Sequence, residues 1–227
     1  MSDCKCKGDK THWMWPCREC YHAQLRARMQ RTEPDWADYA NQLSRAGLPA
    51  LALGCLSSSP GVTDAMTEAK RFFADPFDTA PGLGLLGPAG RGKTVAAGWV
   101  MWQVLRDKGF NNGSTGGLSS PVMLVEASDL TGVSEKRPID ATWLDDLRRV
   151  TFLVLDDVGD EATVDGVAAL AKLIKQRHGS GRRTMLTSNL RRDAFVVRYG
   201  GAVADRMRLI ELPAGRSMRQ QKPEVRT

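Results

Sequence analysis

The eight residues Gly87-Pro88-Ala89-Gly90-Arg91-Gly92-Lys93-Thr94 satisfy G-x-x-x-x-G-K-[ST], the phosphate-binding loop. No other feature of the chain restricts its fold as much, because such a loop functions only between a buried strand and a helix. Both flanks are present. Leu83-Gly84-Leu85-Leu86 is a short apolar run suited to the strand, and Val95 through Leu105 reads as the helix. The glycines allow backbone N–H groups to turn inward and ring phosphate oxygens. The helix start adds partial positive charge. In this setting Lys93 is expected to reach the β- and γ-phosphates, and Thr94 to hold Mg²⁺ through its hydroxyl. The competing reading, a glycine-rich turn that happens to end in Lys-Thr, does not account for the strand and helix.

A second signal lies downstream. Thr151-Phe152-Leu153-Val154-Leu155 is an apolar run that ends in Asp156-Asp157. A buried strand of this kind delivers its first acid to the Mg²⁺ shell. Asp157 follows, placed to orient or deprotonate an attacking water, although an Asp here is one methylene shorter than a Glu. A further strand, Thr184 to Asn189, has a polar tip, and Asn189 is a candidate to hydrogen-bond the γ-phosphate or the water. A Ser-Asn pair at a strand end is more often only a turn.

Further segments read as alternating strands and helices. Val122-Met123-Leu124-Val125 is a strand, after which Ala127-Ser128-Asp129-Leu130 opens a helix capped by Ser128 or Asp129. Helices are expected at Asp140 to Arg149 and at Val164 to Arg177. Gly109 to Ser120 is a loop rich in Gly, Asn and Ser. Alternation from 82 to 190 predicts an α/β fold: a parallel sheet with right-handed crossovers, helices on both faces, and the ligand at the carboxyl edge of the strands.

Residues 1–60 are expected to form a separate module and linker, and residues 61–227 the nucleotide-binding domain. Cys4, Cys6, Cys17 and Cys20 form C-x-C and C-x-x-C pairs ten residues apart. Four thiolates so spaced suit tetrahedral Zn²⁺, whose binding would fold a segment too small to fold alone. Disulfides, or reduced cysteines in a tail, are the rival readings, and His12 and His22 are alternative ligands. Trp13, Trp15 and Tyr21 lie among Lys5, Lys7, Lys10 and Arg18. They either stack nucleic-acid bases or pack over the metal. Cys55 stands alone and reads as a buried filler. Tyr21 to Arg31, Glu33 to Arg45 and Val62 to Ala74 read as helices, with a linker-like stretch at Leu56 to Gly61.

Charge is unevenly spread. Residues 1–60 carry +2, residues 61–175 carry −4 and residues 176–227 carry +8. A basic C-terminal segment beside an acidic middle points to a polyanion such as nucleic acid, against the plainer reading of a solvated basic surface. No apolar run nears the roughly 18–20 residues of a membrane span, and the first residues lack the apolar core of a signal peptide. A cytoplasmic protein without a membrane partner is expected.

Taken together, Gly82 to Thr94, Ala-Ser-Asp-Leu (127–130), Leu-Val-Leu-Asp-Asp-Val-Gly (153–159), Thr-Ser-Asn-Leu (187–190) and Tyr-Gly-Gly-Ala-Val-Ala-Asp-Arg-Met (199–207) resemble the DnaC/IstB-type AAA+ ATPases. These are helicase loaders of bacteria and phages and the ATP-dependent helpers of certain transposons. The resemblance covers about residues 45–219. It implies an AAA+ P-loop core that binds ATP and Mg²⁺ and hydrolyses ATP, with Asn189 as sensor 1. It implies that Arg206 is an arginine finger completing the site of a neighbouring subunit, hence a homo-oligomer. Otherwise Arg206 makes a surface salt bridge with Asp205 or Glu211. Only 21 residues follow Arg206, too few for the helical lid of many such proteins, so Arg216 or Arg219 would have to stand in for sensor 2. Three functions are compatible. One is a loader that assembles on single-stranded DNA and delivers a replicative helicase. Another is a transposition helper that binds target DNA and recruits a transposase. The third is an adaptor that uses ATP only as an assembly switch.

Overall fold

The computed structural model describes residues 35–58, 63–74, 82–108, 120–131, 141–161, 163–215 and 217. Five strands form one sheet: β1 (Gly82–Leu86), β2 (Val122–Glu126), β3 (Phe152–Val158), β4 (Arg183–Ser188) and β5 (Arg208–Glu211). Their order is β2-β3-β4-β1-β5, and every neighbouring pair is parallel. The helices are α1 (Trp36–Arg45), α2 (Ala50–Ser57), α3 (Asp64–Ala74), α4 (Lys93–Lys108), α5 (Ala141–Arg149), α6 (Val164–Gly179), α7 (Arg192–Tyr199) and α8 (Gly201–Ala204).

A strand turns successive side chains to opposite faces, and both faces here are apolar. Leu83, Leu85, Phe152, Val154 and Met185 bury against a layer that includes Leu43 of α1, Leu56 of α2, Phe72 of α3 and Val100 of α4. Leu86, Leu153, Leu155, Leu186 and Leu209 bury against Leu147, Leu170, Ile174, Phe195 and Val203 on the other side. The sheet is thus the middle of three layers, as the near-continuous apolar runs predict. Among the described residues no helix is long and apolar enough to cross a membrane.

The elements depart from the sequence reading in several places, and α7 and α8 lie beyond the last segment it assigned. The helix read from Glu33 begins at Trp36, where the Asp35 carboxylate accepts from Ala37 N (2.9 Å) and supplies the cap, while the helix read at Tyr21 to Arg31 lies outside the described residues. Ala50 to Ser57, mostly unassigned by the sequence, form the helix α2, which takes in the first two residues of the linker-like stretch. It buries Ala52 and Leu56 in the same cluster as β1. Residues 127–131 form a 3₁₀ turn, and Ser128 Oγ donates to the Glu126 carboxylate (3.5 Å). Finally β5, four residues long, was not anticipated; it pairs with β1 from Leu83↔Arg208 to Leu86↔Glu211.

Residues 35–58, placed by sequence in the N-terminal module, lie directly on the sheet's first layer. Gly47 sits at the turn between α1 and α2 with φ +98°, and a Cβ there would lie 2.4 Å from the Leu124 carbonyl oxygen of β2. Next to it, Leu124 N donates to Ala46 O (2.7 Å), so this turn continues the edge of β2. Cys55 is half-buried and free.

One buried cation joins the second layer to the sheet. Arg177 of α6 has no exposed surface. Its guanidinium donates to Leu147 O (2.7 Å) and Val150 O (2.9 Å) at the end of α5, and to Thr184 Oγ1 (2.9 Å) and Arg183 O (2.7 Å) at the start of β4. Burial pulls its pKa down, to about 9. The carbonyls at the negative end of α5 favour the charged form. Replacing Arg177 with Met leaves these carbonyls without a donor, at an expected cost of about 3 kcal/mol. Urea denaturation should show this loss; an unchanged midpoint would contradict the role given to Arg177.

Candidate nucleotide site

The loop of residues 87–92 leaves the carboxyl end of β1 and enters α4 at Lys93. Gly90 and Gly92 have φ of +77° and +78°, which fold the loop back over the helix start. Pro88 and Ala89 are exposed, Gly87 is buried, and Arg91 pairs with Asp64 at the start of α3 (3.5 Å). Lys93 is only 6% exposed. Its ammonium donates to Gly87 O (2.6 Å), Pro88 O (2.9 Å) and Asn189 Oδ1 (3.0 Å). The loop lysine and the polar tip of β4 therefore meet, although 96 residues separate them.

Thr94 donates to the carboxylate of Asp156, 3.1 Å from each oxygen. Asp156 is the fifth residue of β3, and 4% of it is exposed. A second hydroxyl, that of the fully buried Thr187 on β4, also donates to Asp156. The same Thr187 oxygen accepts from Asp157 N (3.0 Å). Thr187 was not singled out from sequence. Its signal was a β-branched hydroxyl two residues before Asn189, indistinguishable there from an ordinary strand threonine.

At Asp156-Asp157 the ladder between β3 and β4 shifts, from Leu155↔Leu186 to Val158↔Ser188. One extra residue of β3 is accommodated as a bulge, a device that re-aims side chains beside active sites. Asp157 takes φ +50°, uncommon for a residue with a Cβ, and its side chain is exposed at the sheet edge. The bulge thus buries one acid and turns the next out to solvent.

Burial pushes the Asp156 carboxyl above the usual carboxylate range; the Thr187 hydroxyl pulls it back, and the Asp157 charge adds to the rise. A buried acid crossed by two hydroxyls suits a divalent cation, which removes the cost of its charge. Among the described residues no group of three or more His, Cys, Asp and Glu gathers as a metal site. Mg²⁺ needs none, since it takes one or two protein oxygens and completes its shell from phosphate and water. Thr94 and Asp156 fit that ion.

Arg206 lies elsewhere. It precedes β5, and its backbone carbonyl is beside Gly82, the first residue of β1. The loop is at the far end of that five-residue strand, about 17 Å away at about 3.3 Å per residue. The Arg206 guanidinium donates to Ala202 O, and Glu211 pairs instead with Arg191 (3.4 Å). Cys4, Cys6, Cys17 and Cys20 lie outside the described residues, as do Arg216 and Arg219.

Strand order β2-β3-β4-β1-β5, a phosphate loop after β1, acids at the end of β3 and Asn189 after β4 define the AAA+ form of the P-loop fold. No family model matches the sequence, and no curated protein matches it. Solved structures do share the fold. The DnaC helicase loader is 20% identical over 75% of this chain and 96% of its own, with a TM-score of 0.50. DnaI is 21% identical over 78% of this chain and 92% of its own, with a TM-score of 0.54. Domain III of the Thermotoga maritima replication initiation protein DnaA is 18% identical over 66% of this chain and 61% of its own, with a TM-score of 0.50. The chain has a DnaC-type AAA+ fold.

The raised Asp156 pKa has a consequence for stability. Above that pKa the apoprotein bears the full cost of a buried charge, and the cost falls away as pH drops towards the ordinary carboxylate value of the unfolded chain. Asp156→Asn should therefore raise the melting temperature of the apoprotein at neutral pH. The gain should shrink as pH falls into the carboxylate range. A melting temperature lowered at every pH would contradict this assignment.

Proposed function

We propose that this chain is an ATP-dependent DNA replication protein of the helicase-loader kind, which assembles on single-stranded DNA and delivers a replicative helicase. One spatial observation carries the enzymatic part. Lys93, Thr94, Asp156 and Asn189 meet at the carboxyl edge of the sheet, while Arg206 stands a strand's length away at the other edge. The loader assignment draws on the motif resemblance and on the fold shared with the DnaC helicase loader and DnaI.

In this reading the Lys93 ammonium exchanges the Gly87 and Pro88 carbonyls for phosphate oxygens. Thr94 and Asp156 hold Mg²⁺, which supplies neutralisation of phosphate charge. Asp157, turned outward by the bulge, aligns the attacking water and takes its proton. Asn189, already in contact with Lys93, fixes the terminal phosphate or the water. Arg206 is too far to serve its own subunit, so it completes the site of the next one and stabilises the charge that develops there. Such a head-to-tail contact generates a ring or an open spiral. The basic segment after residue 176 supplies phosphate contacts to DNA. Residues 35–58 belong physically to the ATPase body, and the part before them grips the helicase. The protein works in the cytoplasm.

The test is complementation. Arg206→Ala should keep ATP binding but lose about a thousandfold or more in turnover, and Lys93→Ala should lose binding. Mixing the two should restore turnover, because one supplies the finger and the other the site. Helicase and single-stranded DNA should each change the rate. Turnover that ignores both would overturn the loader reading. A wild-type protein that binds ATP without turnover would establish the assembly switch instead, and capture of a transposase with target duplex would establish the transposition helper.

The four N-terminal cysteines hold one Zn²⁺ in this proposal. Purified protein should contain about one zinc per chain, lost in Cys17→Ser. Helicase binding should fall with the metal while ATP binding persists. Metal-free protein that binds helicase normally would refute this part.

A further inference from the structure

The carboxylate of Glu161 has no exposed surface and takes no part in the chemistry described above. Burying an unmatched charge costs several kcal/mol, so its partners are informative. Gly159 N donates to Oε1 (3.2 Å). The Tyr199 hydroxyl donates to Oε1 at 2.6 Å and also approaches Oε2. Arg198 donates to Oε2 through Nε (3.3 Å) and Nη2 (3.1 Å), and Nη2 also reaches the Glu161 backbone carbonyl (2.7 Å). Every donor comes either from the turn that leaves β3 or from the last two residues of α7.

Those two places matter for different reasons. The turn at 157–161 follows directly from Asp157 and is fastened to the tip of β4. Asp160 N donates to Asp157 O (3.2 Å). Ser188 Oγ donates to Val158 O and accepts from Leu190 N (3.1 Å). It is therefore a fixed anchor beside the candidate site. Tyr199, in turn, begins the run that ends at Arg206. Gly200 follows with φ +83° and ψ +154°, a conformation that side chains disfavour.

Beyond Gly200 there is no slack. Val203 N and Ala204 N donate to Gly200 O (3.1 and 3.3 Å), Asp205 N to Gly201 O (2.8 Å) and Arg206 N to Val203 O (3.1 Å). The Arg206 guanidinium returns to Ala202 O. Tyr199, Val203 and Met207 also share one buried apolar cluster. Tyr199 is thus joined to Arg206 through one short, hydrogen-bonded segment and a shared apolar cluster.

We infer that Glu161 is a positioning residue that sets the placement of Arg206, through Tyr199 and Arg198, for use by the adjoining subunit. The inference rests on the reading of Arg206 as a finger acting in trans. It predicts where a defect will appear. Loss of the Glu161 link should harm the subunit that donates the finger, in whose neighbour the reaction occurs, and spare the subunit that binds the nucleotide.

The experiment uses full-length chains in the mixed assembly. The acceptor carries Arg206→Ala with its own loop intact, and the donor carries Lys93→Ala with Arg206 intact. Glu161→Gln is placed in the donor alone or in the acceptor alone. In the donor it should lower kcat on the order of tenfold to a hundredfold with KM for ATP unchanged, as a displaced reacting group does. In the acceptor kcat should stay close to that of the unsubstituted pair. Tyr199→Phe keeps the ring that packs against Phe195 (centroids 4.7 Å apart) and removes only the hydroxyl. It should give a smaller loss with the same donor dependence, and the modest fall in melting temperature from the lost buried hydrogen bond cannot produce that dependence. If the unsubstituted pair regains turnover but both variants act equally from either side, or not at all, Glu161 is only a support of the fold and the inference fails. If the unsubstituted pair stays inactive, the trans reading is lost and this inference with it.

Discussion

The Asp156 carboxylate is where three parts of the molecule are tied together. Thr94 brings the first turn of α4, Thr187 brings β4, and the acid itself terminates the apolar run of β3. A buried charge so held is unfavourable in isolation and is best understood as kept for a cation and phosphate. The surrounding architecture follows from it. Its strand must be covered on both faces, so the sheet needs two helical layers. The next acid must nevertheless reach solvent, so β3 must bulge at Asp157.

Sheet direction then divides the chemistry. All five strands run the same way, so everything that follows a strand gathers at one edge and everything that precedes a strand gathers at the other. The loop, both acids and Asn189 follow strands. Arg206 precedes one. No rotation of its side chain crosses the length of β1, so a role in catalysis for Arg206 requires a second subunit. Glu161 belongs to the phosphate-loop edge by sequence, yet its carboxylate is gripped by the residues that begin the segment leading to Arg206. The fold thus contains a short hydrogen-bonded route between the edge that carries the phosphate loop and the segment that carries Arg206.

The parts legible in sequence were those whose chemistry is local. A phosphate loop is a run of backbone conformations, so its glycines and Lys93-Thr94 appear as one contiguous motif, and an apolar run that ends in two acids announces the end of β3. Asn189 stood out only as the polar tip of a strand, and the resemblance rather than the residues themselves implied a role for it. Features made by distant partners were silent. Thr187, Glu161 and Arg177 are ordinary residues until the fold surrounds them with Asp156, Tyr199 and the carbonyls of α5. The helix α2 was hidden because Ala-Leu-Ala-Leu-Gly-Cys-Leu-Ser has no polar face to reveal its period. The strand β5 was hidden because Arg-Leu-Ile-Glu is too short to establish alternation, and only pairing with β1 makes it a strand.

The central claim is that Lys93, Thr94 and Asp156 form a receptor for a magnesium-bound nucleoside triphosphate. Calorimetric titration of the wild-type chain with a non-hydrolysable ATP analogue tests it most directly. One binding event per chain that weakens sharply when Mg²⁺ is withheld is the expected result. No heat of binding with Mg²⁺ present, or binding indifferent to the metal, would contradict it.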